Sequence, residues 1–180
     1  MKRRTIMGPL LGMIACAFLA GPASAQYCWT VAGSTATVDE GDLGEVALAN
    51  QNLQLNSAIS SATITARYSV TGIEEDFWEV PRKMRLIVRF RDIGNGLILL
   101  TLKQQPLSSS TATNLLSFNS DSYPQVSGYQ NTPSPLETGC AFGGGFSFQN
   151  NLYFIEVDMS KTLAAGNPGL QTIQVCSVPC

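Results

Sequence analysis

The feature that most constrains this chain is a strict two-residue alternation in short runs. In Met84–Arg91 the side chains of Met84, Leu86, Val88 and Phe90 share one face, and Arg85, Arg89 and Arg91 share the other, with Ile87 among them. Successive side chains of a β-strand point to opposite faces, so this run predicts a strand with one buried face. Ala62–Val70 repeats the pattern, with Ile64, Ala66, Tyr68 and Val70 set against Thr63, Thr65, Arg67 and Ser69. Further strands are predicted at Leu43–Ala49, Leu97–Leu102, Asn114–Phe118, Leu152–Met159 and Leu170–Val178. Turns fall at Asn95-Gly96, Asn150-Asn151 and Gly166-Asn167-Pro168-Gly169. No long helical period is present; Ile73–Glu79 could form one short helical turn, and residues 119–139 read as a long irregular loop. Short strands at regular spacing predict an all-β chain, a single antiparallel β-sandwich of the jelly-roll or Ig-like kind.

The N-terminus has the layout of an export signal. Met1-Lys2-Arg3-Arg4 is basic, Ile6–Ala20 is mostly apolar, and Ala23-Ser24-Ala25 offers a small-x-small cleavage site before Gln26. The expected organisation is a signal peptide over 1–25 and one domain over 26–180, in a periplasmic or secreted protein. Met13-Ile14-Ala15-Cys16 has only part of a lipobox, and apolar residues continue after Cys16, so that cysteine is expected to leave with the signal. Of the eleven Lys+Arg, three lie in the signal; the remaining 8 against 13 Asp+Glu give a net charge of −5. That balance disfavours a nucleic-acid partner. No later apolar run approaches the ~20 residues of a membrane span.

Export implies an oxidising compartment, so Cys28, Cys140, Cys176 and Cys180 are expected to form two disulfides. Four cysteines allow three pairings. Domain termini often lie close together, which favours Cys28–Cys180 and leaves Cys140–Cys176.

The chain contains no histidine. It therefore lacks the commonest general base and the commonest metal ligand. There is no Gly-x-Ser-x-Gly motif either. Gly143-Gly144-Gly145 lacks the Lys-Ser/Thr of a phosphate loop and reads as a bulge or close backbone approach. Carboxylates remain. Glu156 and Asp158 share a strand face about 7 Å apart, a spacing that suits acid, base or nucleophile roles. The stretch resembles the Glu-x-Asp-x-x-Glu signature of jelly-roll glycoside hydrolases of the laminarinase and lichenase type. The resemblance implies Glu156 as nucleophile and Asp158 as its helper, but Lys161 stands where the family has its acid/base glutamate.

Asp39-Glu40-x-Asp42 and Glu74-Glu75-Asp76 lie near turns, where carboxylates can ligate calcium, the only cofactor the residues point to. Both also read as solvated charge, and no further cofactor is expected. Six of the eight remaining cations are Arg67, Arg82, Lys83, Arg85, Arg89 and Arg91. The strand face carrying Arg85, Arg89 and Arg91 could dock an anionic polysaccharide or an acidic partner. It could equally pair with Glu74, Glu75, Asp76, Glu79 and Asp92. Tyr123 and Tyr129 in the long loop could stack on sugar rings, and Trp78 is read as core.

The C-terminal forty residues carry a cysteine, Phe146-x-Phe148, Asn150-Asn151-x-Tyr153-Phe154-x-Glu156-Val157 and a Gly166-Asn167-Pro168-Gly169-Leu170 turn. They resemble small uncharacterised exported bacterial β proteins, which implies a fold rather than an activity. The leading expectation is a non-enzymatic exported β-sandwich for binding, adhesion or surface assembly, its partner a polysaccharide or another envelope protein. Alternatives are a polysaccharide hydrolase or lyase using Glu156 and Asp158, and a structural component of an envelope or appendage.

Overall fold

The computed structural model describes residues 27–71, 81–133, 135–141, 146–163 and 167–180. The signal segment with Cys16, the expected helical turn at 73–79, Trp78, Gly143-Gly144-Gly145 and the acidic run Glu74, Glu75, Asp76 lie outside them.

Two antiparallel sheets carry the chain. The twelve strands are β1 Tyr27–Ala32, β2 Thr37–Val38, β3 Val46–Ala49, β4 Asn52–Leu55, β5 Ala62–Val70, β6 Arg82–Asp92, β7 Gly96–Pro106, β8 Thr113–Asn119, β9 Val126–Asn131, β10 Leu136–Glu137, β11 Asn151–Lys161 and β12 Gly169–Pro179. The seven-stranded sheet runs β10-β6-β12-β4-β3, with β1 added to β12 and β9 added to β6; the five-stranded sheet runs β2-β5-β11-β7-β8. The chain is an all-β, disulfide-stapled sandwich, as the alternation predicts.

The alternating residues fill the space between the sheets. Met84, Leu86, Val88 and Phe90 of β6 are buried, with Ile64, Ala66, Tyr68 and Val70 of β5 and Tyr153, Ile155, Val157 and Met159 of β11. Each Val, Leu, Ile, Met or Phe side chain among them contributes about 1.5–3 kcal/mol by leaving water. Asn95-Gly96 does not close a hairpin within one sheet. It is a corner that carries the chain from β6 across to β7, with Gly94 (φ 76°) and Asn95 (φ 56°) in the left-handed region.

Several expectations change. The first predicted strand, Leu43–Ala49, starts only at Val46, and β1, β2 and β4 are additional strands. Residues 119–139 are not wholly irregular: they hold a 3-10 turn at Ser120–Ser122 and the edge strands β9 and β10, both laid on β6. Those strands have little buried face, so they carry little alternation.

The disulfide pairing also differs. The bridges are Cys28–Cys176 and Cys140–Cys180, not Cys28–Cys180 and Cys140–Cys176. The reason is register: β1 pairs with β12 so that Cys28 lies directly opposite Cys176. Cys140 approaches Cys180, just past the C-terminal end of β12, because Ala141 bridges to Arg82 and the Cys180 amide donates to the Pro81 carbonyl at 3.0 Å.

Candidate functional site

The six-cation stripe is divided by the sheets. Arg67 belongs to β5, on the other sheet. Arg82 shares the inward parity of Met84; it is buried, with its guanidinium 5.5 Å from the Tyr27 ring centre. Lys83 and Arg85 both bind Glu137, Arg85 Nε at 2.7 Å from Oε1. Hydrogen bonds first from Lys83 and then from Arg85 hold the Glu137 carboxyl below the usual glutamate range. Arg91 donates to Gln54 Oε1 at 3.1 Å, and its guanidinium lies 5.3 Å from the Tyr129 ring centre. Asp92, expected to pair with the stripe, points inward: it is 1% exposed and accepts from Ser120 and from the Gly94 amide.

Arg89, like the ring-covered Arg82 and Arg91, has no carboxylate partner among the described residues. Its Nε donates to Gln171 Oε1, so its remaining donors are committed to no charge. Two cross-strand rows meet around it on the outer face of the seven-stranded sheet. One row is Thr30 opposite Gln174 opposite Ile87; the other is Thr172 opposite Arg89 opposite Asn131. These six residues line a groove of about 410 Å³. Gln174 Nε2 donates to Thr30 Oγ1 at 3.1 Å, which fixes the amide at one wall. The groove offers one cation, neutral hydroxyls and amides, and an apolar floor at Ile87.

The aromatic candidates divide in the same way. Tyr123 is committed to the core: its ring stacks on Phe118 (5.3 Å between centres) and meets Phe90 edge-on at 5.6 Å. Tyr129 is half-buried beside Arg91, and burial raises its hydroxyl pKa against the pull of that cation.

The carboxylate pair lies on the outer face of the five-stranded sheet. Glu156 sits between Lys103 of β7 and Arg67 of β5, the latter at 3.3 Å, and Arg67 also reaches Asp39 at 3.5 Å. Asp158 accepts from Thr65 Oγ1 at 2.8 Å. The hydrogen bond from Lys103, more than that from Arg67, holds the Glu156 carboxyl below its usual range against an opposing effect of burial. Glu156 is thus kept ionised and is poorly suited to donate a proton. Lys161, at the third motif position, is on the opposite face: it is 2% exposed and donates from Nζ to the Asn56 carbonyl at 2.7 Å and to Asn167 Oδ1 at 2.8 Å. Burial lowers its pKa. Glu156, Asp158 and position 161 therefore form no glycosidase triad.

This ion triad has an acid-stability consequence. The folded pKa of Glu156 is depressed, so its stabilisation is present above about pH 4.5 and is lost as the pH falls through the folded value. Glu156→Gln should cost about 0.5–1 kcal/mol at pH 7. In urea unfolding, that difference from the parent should shrink toward zero at pH 3; a difference independent of pH would contradict the assignment.

Among the described residues no three acidic or cysteine side chains gather to hold a metal. Asp42 is spent on the Thr65 amide at 3.1 Å, and Asp39 on Arg67. No described helix is long and apolar enough to cross a membrane.

Of the groove residues, Arg89 is legible from sequence, with Ile87 two positions away on the same face. Thr30, Asn131, Thr172 and Gln174 are neutral and come from three other strands; only pairing registers bring them together.

No family model matches the chain. No curated protein matches it. Among solved structures it is similar to a family two carbohydrate esterase from Cellvibrio japonicus, with a TM-score of 0.39 and 13% sequence identity. The match covers 87% of this chain and 36% of the esterase chain, so the chain spans little more than a third of that protein.

Proposed function

We propose that this is an exported, non-enzymatic β-sandwich that binds an anionic polysaccharide in the groove around Arg89. One observation carries the reading: Arg89 is a cation without a carboxylate partner among the described residues, set among neutral hydroxyls and amides on rigid strands. A sugar carboxylate or sulfate would take the guanidinium, whose planar fork suits such groups. Ring hydroxyls would exchange with Thr30, Asn131, Thr172 and Gln174, and an apolar sugar face would lie over Ile87. The signal-like first 25 residues and the two disulfides support export.

The test is calorimetry of the mature protein with uronate-bearing and neutral oligosaccharides, with and without calcium. Binding is expected for the acidic series, weakening as salt rises. A hydrogen bond to a charged group is worth about 1.5–3 kcal/mol, so Arg89→Ala should weaken binding at least about ten-fold. Lys103→Ala, on the other sheet, should leave it unchanged. Absent binding, or affinity indifferent to Arg89, would overturn the reading.

A further inference from the structure

Along the outer face of β6, Arg85, Ile87, Arg89 and Arg91 stand two residues apart, so their Cα atoms follow one another at about 6.7 Å. The first of these positions is closed: Arg85 and Lys83 are both spent on Glu137. The last is not. Arg91 lies one row beyond the groove, in the row Gln54 opposite Gly169 opposite Arg91. Neither Arg89 nor Arg91 has a carboxylate partner among the described residues. Asp92, next in sequence, is buried and gives its carboxylate to Ser120 and Gly94.

Both guanidinium groups are held in the same way. A neutral glutamine carbonyl fixes each one without cancelling its charge: Gln171 accepts from Arg89 Nε, and Gln54 accepts from Arg91 Nη2 at 3.1 Å. Tyr129 steadies Arg91 further, its ring centre 5.3 Å from the guanidinium carbon. Gly169 makes room for that ring, since a Cβ there would stand 2.6 Å from the tyrosine hydroxyl oxygen. The Nη1 and Nη2 groups of Arg89 and the Nη1 group of Arg91 reach solvent and have no hydrogen-bond partner among the described residues. Two like charges on neighbouring rows repel each other, and two anionic groups at a matching spacing offset both.

We infer that Arg91 is a second anion subsite, and that the polysaccharide runs along β6 with acidic groups on neighbouring sugars. One acidic group meets Arg89 and the next meets Arg91, while a neutral ring face lies over Ile87. This inference deepens the reading of the Arg89 groove and rests on it. It narrows the ligand class from any acidic glycan to one whose acidic sugars are adjacent. A glycan with isolated acidic sugars engages one guanidinium and leaves the other unmatched. Arg91 is thus a specificity-determining residue, and its planar fork suits a carboxylate or sulfate as that of Arg89 does.

The probes are two trisaccharides titrated by calorimetry into the whole mature protein, one with uronic acids on two neighbouring sugars and one with a single uronic acid. The two-acid probe should bind the parent at least about ten-fold more tightly, the worth of an added hydrogen bond to a charged group. Arg91→Ala and Arg91→Gln should each bring the two-acid probe down to the affinity of the one-acid probe. Arg91→Lys, which keeps the charge, should retain part of the preference. Arg89→Ala should weaken both probes. Equal affinities in the parent, or a preference that survives loss of Arg91, would overturn the inference and leave the Arg89 groove standing. So would Arg91 variants that lose both probes alike, since Arg91 would then act by supporting the sheet. Failure of either probe to bind the parent would overturn this inference and the groove reading together.

Discussion

Removing the Cys28–Cys176 bridge, as Cys28→Ala/Cys176→Ala, is expected to lower the melting temperature by about 10 °C. The bridge joins residues 148 apart in sequence. Chain-entropy scaling gives about 5 kcal/mol for a loop of that length, whereas typical measured values are about 2–4 kcal/mol. For a domain of this size each kcal/mol shifts the midpoint by about 2–4 °C. The Cys140–Cys180 bridge spans 40 residues and should matter less on the same scaling. Geometry adds to the difference. Among the described residues β1 pairs only with β12, and its own side chains are exposed or half-buried, so the crosslink is its main anchor besides that ladder. Without it, β1 should fray first, and hydrogen exchange at Thr30 and Val31 should accelerate before the core amides respond. Thr30 is one wall of the Arg89 groove, so the same substitution should weaken polysaccharide binding. A midpoint within 2 °C of the parent would contradict this account of β1.

How much of this was legible in the sequence depends on how much of each strand is buried. β5, β6 and β11 declare themselves because one face of each meets the core, and a two-residue period follows directly from that. β9 has hardly any buried face, so VSGYQN reads as loop. The disulfides were not legible for a related reason. Cys28 meets Cys176 only once β1 is known to pair with β12, and that pairing joins opposite ends of the chain. Proximity of termini was sound as a generality, but register decided the partner. Arg82 and Asp92 are different, since their parity with Met84 and Phe90 places both inward. That signal is present in the alternation, which continues through both charged residues. Of the groove, two strands, β6 and β12, were readable and two, β1 and β9, were not.

Asp92→Ala is the second large effect expected, about 3–5 kcal/mol of lost stability. Asp92 ends β6 at the corner where the chain crosses between sheets, and it is 1% exposed. Its Oδ2 accepts from the Ser120 hydroxyl at 2.6 Å and its Oδ1 from the Gly94 amide at 3.2 Å. Ser120, also 1% exposed, in turn accepts from the Ile98 amide at 2.9 Å. One carboxylate therefore ties the end of β6, the left-handed corner, the start of β7 and the 3-10 turn after β8. Alanine removes the acceptor and leaves the Gly94 N–H and the Ser120 hydroxyl buried without it, at about 1–3 kcal/mol for each stranded donor. A larger loss than for a surface carboxylate such as Asp158 follows from that burial. Asp92→Asn should lose less, because its carbonyl oxygen still accepts from Gly94 and its amide can donate to Ser120. Urea unfolding of the two variants separates a hydrogen-bond role from simple space-filling. If alanine cost less than about 1 kcal/mol, or asparagine cost as much as alanine, the corner would have to be held by the packing of Phe90 and Phe118 instead.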